Sequence, residues 1–386
     1  MRVSTHADVF DAPAARIGPL ELGGEGGRSG ARSSRLARPS RLAALPGRWC
    51  GTERSSDDRL HAVGGGGPRV KVVYAYPKGA PDRFDLYKDL IQQDVALTRS
   101  AVAAASGGRK TIRFDMGTDC PGGGARYVDI QTMALPHDAA WYGVDPESAA
   151  TTIWSEVRRS LGLRGRWNAT LYVDGVSPGG AAGIASQPLD ETKGPSNDAN
   201  LGGQSAFVFG DGSPEFSPRR SQVFVHETIH TLGAVQDGAP HSTGLGHCFD
   251  GADVMCYDDG GPTAPQPRPE PTCAGPLRID CGGDDYFSPR PARGSYLARH
   301  WNLFDSAFMC PVPGCDSSDP DASVAAALSA SLGDVTSRLR RAGLPGLLRR
   351  GTLRLRFQAP QPGRLGLTIA VGRRKLLAGH RAVGRA

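Results

Sequence analysis

The chain has 386 residues, 39% of them hydrophobic, which is enough to bury one large core, while 52 glycines and 30 prolines announce long irregular stretches beside it. The net charge of +6 is no nucleic-acid signature: after Asp334 the tail carries 13 Lys and Arg and no acid, leaving 32 basic against 39 acidic residues, net −7, in the rest. No run of about 18 apolar residues occurs, so a membrane-spanning helix is not expected.

Residues 1–48, rich in glycine and arginine, are predicted to be a disordered or mis-assigned N-terminal segment, because such sequence buries too little apolar surface to offset its chain entropy. They also lack the basic and apolar regions of a signal peptide, so the true start is expected upstream of Met1. Order is predicted from Trp49. Val70 to Tyr76 reads as a strand ended by Pro77, and Phe84 to Ala105 as a helix whose Leu86, Leu90, Ile91, Val95 and Val102 are available for a buried face. Thr111 to Asp115 and Tyr127 to Gln131 alternate as half-buried strands, Pro146 to Leu161 has helical spacing, and Asn168 to Val173 and Ser205 to Phe209 complete the strands. A last helix is predicted with Ser217 as N-cap, Pro218 at its first position and Gly233 at its end. This order predicts an α/β (α+β) domain with a twisted mixed sheet backed by helices. From Ala234 to Cys315 the chain is rich in Gly, Pro, Asp and Cys, and reads as a loop-rich subdomain held by disulfides. In the tail, Gly351 to Phe357 and Leu365 to Val371 alternate like the opening strands of an incomplete β-rich unit.

Eight cysteines (Cys50, Cys120, Cys248, Cys256, Cys273, Cys281, Cys310, Cys315) include no CxxC pair, which favours disulfides, with Cys50 and Cys120 one possible pair, and an extracellular or periplasmic home.

The last helix carries His226-Glu227-Thr228-Ile229-His230. Imidazoles four residues apart leave one face a turn apart, and Glu227 between them can reach a water at the metal without ligating it; this is the spacing of a hydrolytic zinc site. Val225, Ile229 and Leu232 can bury the other face. Gly233 extends the string to HExxHxxG, where glycine lets the chain turn and bring a further ligand to the metal. Glu270, the one glutamate after Glu227, sits among prolines where no helix forms, so a glutamate ligand from a following helix is not expected. Asp237, Asp250 and Asp253 are possible ligands, although imidazole is the commoner choice.

The string resembles the metzincin pattern HExxHxxGxxH followed by a methionine-containing turn. It departs from the pattern at Gln236, which stands where the third histidine is usual, leaving His241 and His247 as candidates. His247 is favoured because Gly246-His247-Cys248 can be anchored by a disulfide and lies eight residues before Met255, whereas His241 follows Pro240 in a loop. Asp253-Val-Met-Cys-Tyr257 resembles the metzincin turn, with the Met-x-Tyr spacing of the astacin and serralysin branches; that similarity implies Tyr257 as a zinc contact or oxyanion donor. Trp49-Cys-Gly-Thr, Val70 to Pro77, the two histidine strings and Ser295 to Asn302 together are similar to a group of secreted metzincin-like proteins of actinobacteria.

The resemblance covers about residues 49–310 and implies a metzincin-like zincin domain, placed over 49–316 with 49–233 as upper and 234–316 as loop-rich lower subdomain; 317–386 reads as linker and incomplete β-rich basic tail. It implies a secreted zinc endopeptidase acting on polypeptides, with His226, His230 and His247 as metal ligands and Glu227 and Tyr257 catalytic. Calcium at Asp258-Asp259 or Asp284-Asp285 is the weaker expectation, because neither pair has EF-hand spacing and both read as solvated turns. His300-Trp301 reads as packing. The rival reading is a secreted adhesion or carbohydrate-binding protein on a degenerate protease scaffold, motivated by Gln236 and the unfinished tail; a non-peptide zinc hydrolase is the third.

Overall fold

Strands buried on both faces need apolar side chains pointing both ways, and Val70-Lys-Val-Val-Tyr-Ala supplies them. In β2 (Arg69–Tyr76), Val70, Val72 and Tyr74 face one core while Val73 and Ala75 face another. The computed structural model describes residues 49, 67–116, 118–119, 126–143, 145–163, 167–214, 216, 219–249, 253–263, 277–312 and 315, together with three strands nearer the termini.

The first of these is β1 (Val3–Asp8), which lies within the stretch expected to lack order. After β2 come α1 (Phe84–Ala105), β3 (Lys110–Ile112), the two-residue strands β4 (Thr118–Asp119) and β5 (Arg126–Tyr127), β6 (Ile130–Ala134), α2 (Ala139–Tyr142) and α3 (Pro146–Leu161). Then follow β7 (Trp167–Asp174), β8 (Gly183–Pro188), β9 (Ser205–Gly210), α4 (Arg220–His230), α5 (Tyr296–Arg299) and β10 (Met309–Pro311). The tail forms a hairpin of β11 (Gly363–Val371) and β12 (Arg374–Val383); the strand predicted at Gly351 to Phe357 lies outside the described residues.

The main sheet has the order β1-β8-β9-β7-β2-β6. Strands β6, β2, β7 and β9 are parallel, and β8 and β1 are antiparallel additions at one edge. One core gathers α1, α4 and the segment carrying Met255, Phe287 and Met309 against one face, and the other packs α3 against the opposite face. The α/β expectation therefore holds, with a twisted mixed sheet between helical layers.

The helices at Phe84–Ala105 and Pro146–Leu161 match their predicted bounds; Asp145 caps the second, accepting from Ser148 N. Three readings need correction. The strand predicted over Tyr127 to Gln131 breaks at Val128 and Asp129, because Val128 N donates to Gln92 Oε1 (3.1 Å) and Asp129 turns inward to Lys71. Strand β8 was not expected: Gly-Ile-Ala-Ser-Gln-Pro has no apolar alternation, and its strand character comes from pairing with β9. Helix α4 starts at Arg220, with Arg219 at its N-cap, while Ser217 and Pro218 lie outside the described residues. A charge network replaces the predicted cap. Asp94 of α1 accepts from Tyr172 Oη (2.8 Å), Arg220 and Ser221, tying the first turn of α4 to α1 and to β7.

Cys248–Cys256 and Cys310–Cys315 are disulfides and Cys281 is disulfide-bonded, as expected of this segment; Cys50, Cys120 and Cys273 lie outside the described residues. Among the described residues no helix is long and apolar enough to cross a membrane.

Candidate metal centre

From Val223 onward helix α4 is buried all round. Val223, Phe224, Val225, Ile229 and Leu232 pack in the core, and His226, Glu227 and His230 are buried as well, at 0%, 0% and 4% exposure. A helix with polar groups in such a place needs every one of them committed. Thr228 shares a hydrogen bond with Thr170 of β7 (2.9 Å), and Asn168 Nδ2 donates to Thr231 O (3.0 Å). At the C-terminal end Trp301 Nε1 donates to Leu232 O (3.0 Å), so Trp301 serves packing, as read from the sequence, and also helix termination. Gly233 follows at φ +88, a conformation that favours glycine, and turns the chain back toward the sheet.

The turn and the loop beyond it bring His247 to His226 and His230. The three Nε2 atoms lie 3.0 Å (His226–His230), 3.2 Å (His226–His247) and 3.2 Å (His230–His247) apart. Each Nδ1 faces an acceptor: Val254 O for His226 (2.7 Å), Ala234 O for His230 (2.6 Å) and Asp259 Oδ2 for His247 (2.6 Å). An acceptor there assigns the ring proton to Nδ1, so the three Nε2 atoms present lone pairs to one another. Three converging lone pairs repel unless a cation sits between them. Tetrahedral metal–nitrogen bonds of about 2.0–2.1 Å would separate such nitrogens by roughly 3.3 Å, close to what is seen. The donor set therefore fits a metal ion held by His226, His230 and His247.

Glu227 approaches β8 at Gly183, where a Cβ would overlap Glu227 Oε1, Val223 Cγ1 and Phe207 O. Glycine at this point lets the carboxylate lie against β8. The Tyr257 ring lies beside the histidines, its centroid 4.4 Å from that of His247 and 6.0 Å from that of His226. The Cys248–Cys256 disulfide closes the loop between His247 and Tyr257, and Cys248 N donates to Met255 O (3.2 Å).

The other sequence candidates go elsewhere. His241 pairs with Asp285 (Nδ1 to Oδ2 2.9 Å) near Asp284. Asp253 accepts from Met255 N (2.7 Å) and Tyr286 Oη (2.7 Å), and burial pushes its carboxyl up to about 7 against the lowering pull of those hydrogen bonds. Gln236 Nε2 donates to Gly233 O (2.7 Å) and Pro188 O (2.8 Å). Asp250 and Glu270 lie outside the described residues.

Reading Asp258-Asp259 and Asp284-Asp285 as solvated turns needs correction at two of the four positions, because Asp285 is buried, Asp259 is partly buried, and each pairs with a histidine. Burial would raise the Asp259 carboxyl, but donation from His247 and Thr243 outweighs it and holds the group below its usual range. Sequence reasoning missed Asp259 because it meets His247 only once the intervening loop is closed; the Cys248–Cys256 spacing was the one signal available. Asp259→Asn must point its amide NH2 either at His247 and Thr243 or at Gly261 N, and so loses at least one of these donors. Metal affinity is expected to fall about 10- to 100-fold by chelator competition. Unchanged affinity would reduce Asp259 to a loop residue.

Fold and site together define a mixed α/β protein with a buried three-histidine group, able to hold a metal ion, at the end of its central helix. No protein-family profile and no curated protein matches the chain. Among solved structures, wild-type OgpA from Akkermansia muciniphila is similar at 16% identity and a TM-score of 0.28, over 47% of this chain and 51% of that one. Catalytically inactive OgpA from the same organism, in complex with an O-glycopeptide (glycodrosocin) substrate, matches at 12% identity and 0.26, over 44% and 49%. Metalloproteinase-II from Bacteroides fragilis matches at 16% and 0.26, over 54% and 51%. The chain thus spans about half the length of these structures.

Proposed function

We propose that the chain is a zinc-dependent endopeptidase of metzincin type, with residues 49–316 as its catalytic domain and His226, His230 and His247 as the metal ligands. The observation that carries this reading is the convergence of three Nε2 lone pairs whose Nδ1 protons are all committed elsewhere, with a carboxylate one residue from the first ligand. Three imidazoles would be the donor set of a hydrolytic rather than a structural zinc site, which keeps room for water. Zinc held there would polarise a scissile carbonyl and make a neighbouring water acidic enough to deprotonate near neutral pH.

Glu227 takes the proton from the attacking water and returns it to the departing amine as the C–N bond breaks. Tyr257, beside His247 and His226, donates to the oxygen that gains charge in the tetrahedral intermediate. Asp259 keeps the His247 ring oriented. A polypeptide is the proposed substrate, and the disulfides support a secreted protein working in an oxidising compartment.

The test is zinc content of the purified chain by elemental analysis, for wild type, His241→Ala and His247→Ala. About one zinc per wild-type chain is expected, kept by His241→Ala and lost by His247→Ala. A folded wild-type chain that takes up no supplied zinc would overturn the reading in favour of a binding module on the same scaffold.

A further inference from the structure

The position that breaks the metzincin-like pattern is not idle. Gln236 Nε2 spends both of its hydrogens, on Gly233 O (2.7 Å) and on Pro188 O (2.8 Å) at the end of β8. One residue earlier on that strand, Gln187 Nε2 donates to Val235 O (2.5 Å). Both glutamines are buried, at 3% and 2% exposure. Carbonyl partners fix which end of each amide is the donor, and among the described residues neither Oε1 has a hydrogen-bond partner. A buried acceptor left unmatched is unfavourable, so what these residues contribute lies in their N–H groups.

The peptide groups so gripped belong to the metal centre. Ala234 O, which holds His230 Nδ1, lies between the gripped carbonyls of Gly233 and Val235. Val235 N donates to Gly246 O (3.0 Å), next to His247. Gly246 itself, at φ +92, lies against Gln187 Oε1 and His230 Cε1. Strand β8 is thereby joined through two side-chain amides to the peptide groups on either side of the carbonyl that orients one imidazole, and through Val235 to the residue preceding another.

We infer that Gln187 and Gln236 are positioning residues, a paired amide clamp that sets His230 and His247 for the metal, and that Gln236 is not a vestigial ligand. The inference rests on the reading of the three histidines as metal ligands. On this account the chain took its third imidazole from position 247 and used position 236 to fasten the turn.

The test is cobalt(II) binding to the full chain, followed by chelator competition and by the absorption spectrum of the loaded protein, with thermal unfolding of the metal-free protein alongside. Gln187→Met and Gln236→Met keep side-chain length and remove the donors. Each is expected to weaken affinity about 10- to 100-fold and to alter the cobalt bands, which a general loss of stability would not do. Should a Met variant fail to fold, Gln187→Asn or Gln236→Asn withdraws the donor by one methylene without adding an apolar group, with the same expectation. Gln236→His combined with His247→Ala is expected to bind no cobalt; binding restored there would mean that position 236 is a ligand site and would overturn the inference. Wild-type affinity and spectrum in the folded single variants would overturn it while leaving the zinc reading intact. No cobalt in the wild type would overturn both.

Discussion

Glu227→Gln is expected to lower kcat for peptide hydrolysis by about 10²- to 10⁴-fold while leaving metal content unchanged. Glutamine matches glutamate in size and helix propensity, and the space made by Gly183 accommodates either. What is lost is basicity at the one carboxylate lying between the first two imidazoles along α4. The Nε2 group does not include Glu227, so the metal has no reason to leave. Replacing a fully buried carboxylate by a neutral amide also removes a desolvation cost, so the melting temperature should hold or rise. Hydrolysis of an unfolded protein substrate, assayed beside elemental analysis, checks both halves. A variant that keeps its zinc and its rate would sink the proposed role of Glu227.

Lys71→Met is expected to destabilise the fold by about 3–5 kcal/mol, measured by urea denaturation. Lys71 Nζ lies 2.9 Å from Asp115 Oδ2 and 3.1 Å from Asp129 Oδ2, with all three side chains fully buried. Methionine fills the same volume but leaves two carboxylates facing each other in the interior. Arg69 offers only partial relief, its Nη1 lying 3.9 Å from Asp115 Oδ1. The loss is large against a typical domain stability of about 5–15 kcal/mol because one cation serves two anions. A change below about 1 kcal/mol would show that the carboxylates find other donors or take up protons.

These two sites mark how far the sequence could be read. Glu227 was legible because a helix repeats every 3.6 residues, so His226, Glu227 and His230 declare their shared face by spacing alone. Phe84–Ala105 and Pro146–Leu161 were legible for the same reason. Lys71 read only as a residue inside a strand, because its partners lie 44 and 58 residues further along and no local pattern announces them. The start of α4 was misplaced on the same ground: a local cap was predicted at Ser217, whereas the first turn is held by Asp94 from a distant helix. Strand β8 was missed because its residues follow no period of two, although Gly183 and Gln187 shape the centre. Asp259 read as part of a solvated turn and Gln236 as a missing ligand, since the roles of both depend on loops whose closure a linear reading does not contain.

The completeness of the burial around His226, Glu227, His230 and His247 has a kinetic meaning. With the histidines exposed by only 0–4%, a bulky chelator would reach an ion between them chiefly when the surrounding loops part. An ion seated there would be removed at the tempo of that local opening. With rising chelator concentration the stripping rate should then level off at a ceiling belonging to the protein, and the same ceiling would bound how fast any large molecule gains entry.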